Sequence, residues 1–167
     1  LPYDDATKRG LRLRAADIAT DELHDRSTAI DMYRAVLAVA PADREILDKL
    51  ASLFGAENRV GELLIIRQTQ LHNESDAERR LALRLETARL VGVIEEQGGR
   101  LEALQANLQE RPGHDASLDA VTLLLTDKAQ HRELSNLLEK QAQQVESLAE
   151  PARAARLWAR FADVAEK

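Results

Sequence analysis

The four histidines are the side chains of this sequence best suited to hold a metal ion or to transfer protons near neutral pH. They are His24, His72, His114 and His131, all far apart along the chain. No two have the H-x-x-x-H spacing that would place both rings on one helical face, and the H-E-x-x-H motif is absent. We interpret them as exposed or capping residues. The sequence therefore predicts no metal site and no cofactor.

Other catalytic patterns are equally weak. Glu95 and Glu96 could offer two carboxylates, but adjacent residues of a helix point about 100° apart. The seven glycines form neither G-x-G-x-x-G nor a P-loop, and the absence of cysteine excludes thiol catalysis and zinc-thiolate sites. No serine stands in a nucleophile-elbow motif. We predict that the protein is not an enzyme.

Arginine has a pattern that the other charged residues lack. Three segments can be aligned with one another: Leu11-Arg12-Leu13-Arg14, Leu81-Ala82-Leu83-Arg84 and Leu157-Trp158-Ala159-Arg160. The alignment places Arg14, Arg84 and Arg160 at one repeat position. A planar guanidinium can bind a carboxylate through two parallel hydrogen bonds, and it stays charged at any working pH. The row favours a solvated helix face whose arginines pair with nearby Asp and Glu. The sharper hypothesis is a surface on which Arg14, Arg84 and Arg160 bind an acidic protein segment.

The overall charge limits the classes of partner. The formal net charge is −6 and the isoelectric point is near 5.3, which is the wrong sign for a protein that grips a phosphate backbone. The charge therefore argues against nucleic acid as a partner. No apolar run approaches the roughly 18 residues of a membrane span, so we expect no membrane insertion. A chain without cysteine fits cytoplasm or periplasm, and we expect a cytoplasmic location, with the periplasm as the alternative.

The residue types favour helices throughout. Aromatic residues are 3% of the 167 residues, whereas alanine, leucine, glutamate, arginine and glutamine recur everywhere, so strand formers are scarce. Apolar residues recur at helical spacing, and we expect turns at Gly55, Gly98-Gly99 and Gly113. The sequence predicts nine helices, at about 6–23, 28–40, 43–54, 60–72, 77–95, 99–111, 115–126, 131–147 and 151–166.

Two stretches of the chain repeat one pattern. They are AVLAVAPADREILDKL at 35–50 and ANLQERPGHDASLDAV at 106–121, with Pro41 and Pro112 separated by 71 residues. The same shift relates two sets of apolar residues: Ile30, Tyr33, Leu37, Leu47, Leu50, Ala51 and Phe54, then Leu101, Leu104, Leu108, Leu118, Val121, Thr122 and Leu125. A period of 71 residues over four helices predicts helical hairpins of about 35 residues. A hairpin buries its apolar face only against the next one, so its packing residues must recur.

The repeats resemble the tetratricopeptide repeat family. Leu47, Leu50-Ala51 and Phe54 are similar to the apolar, small and aromatic positions of the family's first helix. Ala29, Tyr33, Ala35 or Val36, and Pro41 are similar to the second-helix positions. The later unit, with Leu104, Pro112, Leu118, Val121-Thr122 and Leu125, is similar but weaker, as in the degenerate arrays of large bacterial scaffold proteins.

The resemblance implies an all-α, right-handed α-solenoid of about four and a half hairpins. We expect residues 1–167 to form a single repeat domain that is a fragment of a longer array. It also implies a soluble scaffold for protein–protein interaction, which binds a peptide or a partner helix on a concave helical surface. The alternative is a structural spacer or a self-assembly module that associates end to end.

Overall fold

The computed structural model describes residues 4–94, 98–127 and 129–166, and within these ranges the regular structure is entirely helical. Nine helices follow one another: α1 (Asp5–Asp21), α2 (Arg26–Leu37), α3 (Arg44–Ala56), α4 (Val60–Asn73), α5 (Ala77–Ile94), α6 (Gly98–Glu110), α7 (Asp115–Asp127), α8 (His131–Ser147) and α9 (Pro151–Ala165). The predicted all-α class is confirmed, and each observed boundary lies within three residues of its predicted position.

The chain divides into two compact units, Leu1–Ala77 and Glu78–Lys167. The first unit contains α1 to α4, and the second contains nearly all of α5 together with α6 to α9. The expectation of a single domain over 1–167 stays a prediction.

In the first unit, α1 packs on α2, α2 on α3, and α3 on α4. Helix α3 lies at the centre because Ile46, Leu47, Leu50 and Phe54 are all buried on it. Aspartate side chains cap α1, α2 and α3: Asp43, for example, accepts a hydrogen bond from the backbone N–H of Ile46. Capping by aspartate fixes where these three helices begin, and the apolar stripe of each helix decides which face turns inward.

A polar network joins three helices of this unit. The Tyr33 hydroxyl donates a hydrogen bond of 2.6 Å to Asp17, and Lys49 also bonds that carboxylate and lies over the Tyr33 ring. These bonds lower the pKa of Asp17, whereas burial and the Asp17 bond raise the pKa of Tyr33. The network connects α1, α2 and α3 at the edge of the core.

In the second unit, α6 packs on α7, α7 on α8, and α8 on α9. One cluster of buried residues draws on all five helices of the unit: Ala88, Leu104, Leu108, Leu118, Val121, Leu125, Leu134, Leu138, Ala142, Val145, Ala154 and Leu157. A buried polar residue, Asn107, bridges α5 and α7: its amide donates at 3.0 Å to the Leu81 carbonyl and to the Ser117 hydroxyl. Because Asn107 is fully buried, these bonds satisfy an amide that water cannot reach.

The 71-residue repeat is confirmed in the pattern of burial. Leu47 and Leu118, Leu50 and Val121, and Phe54 and Leu125 are buried pairs at equivalent positions. Leu37, Leu101 and Thr122 are only partly buried. Of the two second-helix candidates, Val36 is buried and Ala35 is exposed. Both prolines lie between helices, Pro41 after α2 and Pro112 after α6, as predicted.

The predicted turn at Gly55 is wrong, because Gly55 lies in the last turn of α3. Gly98 and Gly99 are the first two residues of α6, and residues 95–97 before them lie outside the described part of the chain. Gly113 does turn the chain with φ +71°, and a Cβ there would lie 2.7 Å from a Val145 methyl. Four other residues adopt positive φ just after helices: His24, Asn58, Ala129 and Ala149. At Asn58 the next N–H, that of Arg59, bonds back to the Phe54 carbonyl, so the hydrogen bond of the C-cap fixes the turn without a glycine.

Packing between helices should supply most of the stability, because helices of 12 to 18 residues are marginal alone in water. Leu50→Asp in the first unit, or Val121→Asp in the second, places an unpaired charge at a fully buried position. We expect each to lower the free energy of unfolding by about 3 kcal/mol or more, measured by urea denaturation.

Exposed positions on the same two helices provide controls. Ser52→Asp on α3 and Leu123→Asp on α7, where Leu123 is 57% exposed, should change stability by less than about 0.5 kcal/mol. Equal losses at the buried and exposed positions would show that the assigned inner face is wrong.

Candidate protein-interaction surface

The histidines do not converge. His24 and His72 are exposed, and His131 begins α8. His114 is half-buried, its Nδ1 lies 2.8 Å from the Ser117 hydroxyl, and burial lowers its pKa. Across the described part of the chain, no three His, Asp or Glu side chains are grouped so that they could hold a metal ion. Glu95 and Glu96 lie outside the described residues.

Arg14 lies in the first unit, on α1, and its side chain is exposed. Nearly all of its neighbours towards the start of the helix are exposed as well, and the first buried residue of α1 is Ala16. Among the residues that the structure describes, none forms a hydrogen bond or ion pair with Arg14. Its guanidinium is accessible to a ligand.

Arg84 lies in the second unit and is held by α6. Its guanidinium bonds the Glu110 carboxylate and lies 3.4 Å from the Asn107 amide oxygen. Arg80, one turn earlier on α5, donates to the same Glu110 carboxylate at 3.0 Å. The two arginines lower the pKa of Glu110 to about 2. The side chain of Arg84 is 18% exposed to solvent.

Arg160 is held by α7. Its guanidinium lies 3.0 Å from the Asp119 carboxylate and donates at 3.0 Å to the Thr122 hydroxyl. Asp119 is largely exposed, and the Arg160 side chain is 31% exposed to solvent. Arg84 and Arg160 thus have the acidic neighbours that a solvated, ion-paired helix face predicts.

The structure places Arg84 and Arg160 in one unit and Arg14 in the other. A second arginine group, which the alignment missed, lies around a cavity of about 80 Å³ between α7 and α9. The cavity is lined by Gly113, Asp115, Arg153, Arg156, Leu157 and Arg160. The spacing of the three arginines, i, i+3 and i+7, is visible in the sequence and places them on one face of α9. Gly113 and Asp115 line the same cavity, and this contact between distant parts of the sequence could not be predicted from the spacing.

Fold and site together define an all-α helical-repeat protein with arginine-bearing helix faces. A crystal structure of MamA protein matches with a TM-score of 0.56 at 15% identity, covering 97% of this chain and 94% of that chain. A second crystal structure of MamA matches with a TM-score of 0.50 at 15% identity, covering 99% and 97%. These similarities indicate a tetratricopeptide-like fold. No protein-family model and no curated protein sequence matches the chain.

No helix in the described part of the chain combines the length and apolar character needed to cross a membrane.

The Glu110 cluster should make the second unit sensitive to acid. Because the folded-state pKa of Glu110 is lowered to about 2 from an ordinary 4.5, its stabilising effect is complete above about pH 4.5 and lost as pH falls towards 2. We expect Glu110→Gln to lower the melting temperature near pH 6, with the difference from wild type shrinking below pH 4.5 and closing near pH 2.

Glu146→Gln, at an exposed position of α8, is the matched control and should melt like wild type at each pH. A Glu110→Gln difference that stayed constant from pH 6 to pH 2 would contradict an ionic role for this carboxylate.

Proposed function

We propose that the chain is a protein-interaction module that binds an acidic protein or peptide segment and performs no catalytic step. Arg14, Arg84 and Arg160 contact the partner. The observation that carries the proposal is that Arg84 and Arg160 are anchored by a neighbouring helix while part of each side chain stays accessible. Anchoring reduces the side-chain entropy lost on binding.

The existing ion pairs do not block such binding. Exposed or partly exposed pairs contribute about 0.2–1 kcal/mol each, so a partner carboxylate can share or replace the Asp119 contact at little cost. Arg84 is the more firmly held because its partner Glu110 is only 23% exposed, whereas Asp119, the partner of Arg160, is 70% exposed. No single contact of this kind gives tight binding. The proposed interaction therefore needs several arginines together and weakens as salt rises.

The fold supports the same conclusion. Repeated helical hairpins present long, rigid helix faces that suit an extended peptide or a partner helix. The net charge of −6 favours a local arginine surface for acidic protein segments over general binding of nucleic acid.

Self-assembly or a spacer role is the second candidate. It is favoured by Leu11 and Ile18, which are 53% and 39% exposed and lie seven residues apart on one side of α1. Apolar side chains that recur at this spacing suit contact with another helix. In that case the contact would form between copies of this chain and would persist at high salt.

Affinity capture with the purified chain, followed by mass spectrometry, tests the proposal. The test variant replaces Arg14, Arg84 and Arg160 by glutamine, which removes charge without setting a new carboxylate beside Glu110 or Asp119. The control replaces Arg26, Arg89 and Arg132, three exposed arginines with the same distribution between the two units, by glutamine.

We expect the wild type and the control to retain the same partner, and the test variant to lose it while keeping a cooperative melting curve. Equal retention by both triple variants would contradict the role of the three arginines. If only copies of the chain itself are retained, the self-assembly candidate replaces the proposal.

A further inference from the structure

Arginine is the commonest residue in the lining of the cavity between α7 and α9. Three arginines and one aspartate line it, and Leu157 forms an apolar part of the wall. Arg153 is paired with Glu150 and Arg160 with Asp119, so Arg156 is the one lining arginine that no described carboxylate pairs with. A carboxylate that enters this cavity of about 80 Å³ meets the guanidinium of Arg156 with two further guanidinium groups beside it.

Two of the three arginines are fixed by their own bonds. Arg153 pairs with Glu150 and donates to the backbone carbonyls of Pro112 and Gly113, at 3.3 and 3.1 Å. Arg160 is held by Asp119 and Thr122 on α7, as described above. These two guanidinium groups therefore form rigid sides of the cavity.

Arg156 differs from both. It lies one turn after Arg153 on the same face of α9, lines the cavity and is exposed. Among the described residues it has no hydrogen-bond or ion-pair partner. All five N–H groups of its guanidinium are thus available to a ligand.

We propose that this cavity binds the carboxylate of a glutamate side chain from a partner protein, with Arg156 as the residue that grips it. This inference rests on the proposed function and names the chemistry of one contact. The planar fork of Arg156 matches a carboxylate through two parallel hydrogen bonds. Leu157 offers the methylene groups of glutamate an apolar surface, which an inorganic anion has no means to use.

Asp115 is the built-in competitor. It lies at the start of α7, lines the same cavity and carries the one negative charge among the lining residues. Removing that charge removes the carboxylate of the lining that repels an incoming glutamate. Changes at Arg156 and at Asp115 should therefore move glutamate binding in opposite directions.

The test measures binding of a fluorescein-labelled hexaglutamate peptide to the full chain by anisotropy at low salt, with hexaglutamine as the neutral probe. We expect hexaglutamate alone to bind, Arg156→Gln to weaken it about three- to tenfold, and Asp115→Asn to strengthen it. Arg132→Gln, which removes the same charge from an exposed position of α8, is the control and should bind like wild type. Melting curves of all variants establish that each is folded.

Equal weakening by Arg156→Gln and Arg132→Gln would overturn the proposal, because binding would then follow net charge and not this cavity. Free anions are tested with inorganic phosphate and acetate. Phosphate could displace the peptide at a lower concentration than acetate does, and at a lower concentration than that of the peptide's own glutamates. That result would overturn the assignment to a glutamate side chain.

The cavity assignment and the proposed function can fail independently of each other. Retention of the captured partner could depend on Arg14, Arg84 and Arg160 while Arg156→Gln leaves the affinity for hexaglutamate unchanged. In that case the module binds its partner and only the cavity assignment fails. If no partner depends on those three arginines while Arg156→Gln still weakens hexaglutamate, the cavity assignment stands and the wider arginine surface fails.

Discussion

The helices of this chain cannot bury their apolar stripes alone. Helices of 12 to 18 residues gain little from backbone hydrogen bonds in water, so they persist only when Leu50, Val121 and their equivalents meet another helix. The 71-residue repeat in the sequence follows directly from this need. Packing of the apolar face also determines which residues are exposed, because a helix held by one face presents its other face in a fixed orientation. The arginines lie on faces of this second kind.

Polar residues in the second unit extend this order to the surface. Asn107 ties the end of α6 to the Leu81 carbonyl and to Ser117, and the neighbouring Glu110 collects Arg80 and Arg84. On the other side, Gly113 lets the chain pass close to Val145, and its carbonyl receives Arg153. Surface arginines here are therefore positioned by bonds to the ends and faces of neighbouring helices. These bonds hold the guanidinium groups in fixed positions on the helix surface.

The helices, their order and most buried positions could be predicted from the sequence, because apolar spacing and the two prolines record them directly. The turns were harder to predict: Gly55 lies inside a helix, whereas Asn58 and Ala149 take positive φ where the hydrogen bonds of the C-cap demand it. The alignment found Arg160 but not Asp119 or the cavity around Arg156, since these contacts join α7 to α9. Periodicity reports which face of a helix is buried, and it does not report which residue of the next helix it meets.

Amide hydrogen exchange along the first unit tests most directly whether helix packing, and not local propensity, holds this fold together. Helix α1 offers an internal comparison, because Arg9–Arg14 contains no buried residue, whereas Leu50–Phe54 of α3 contains four: Leu50, Ala51, Leu53 and Phe54. Both segments are helical and rich in good helix formers. If packing controls stability, the amides of Leu50–Phe54 should exchange at least a hundredfold more slowly than those of Arg9–Arg14, after correction for intrinsic rates. Equal protection of the two segments would contradict this explanation of the fold.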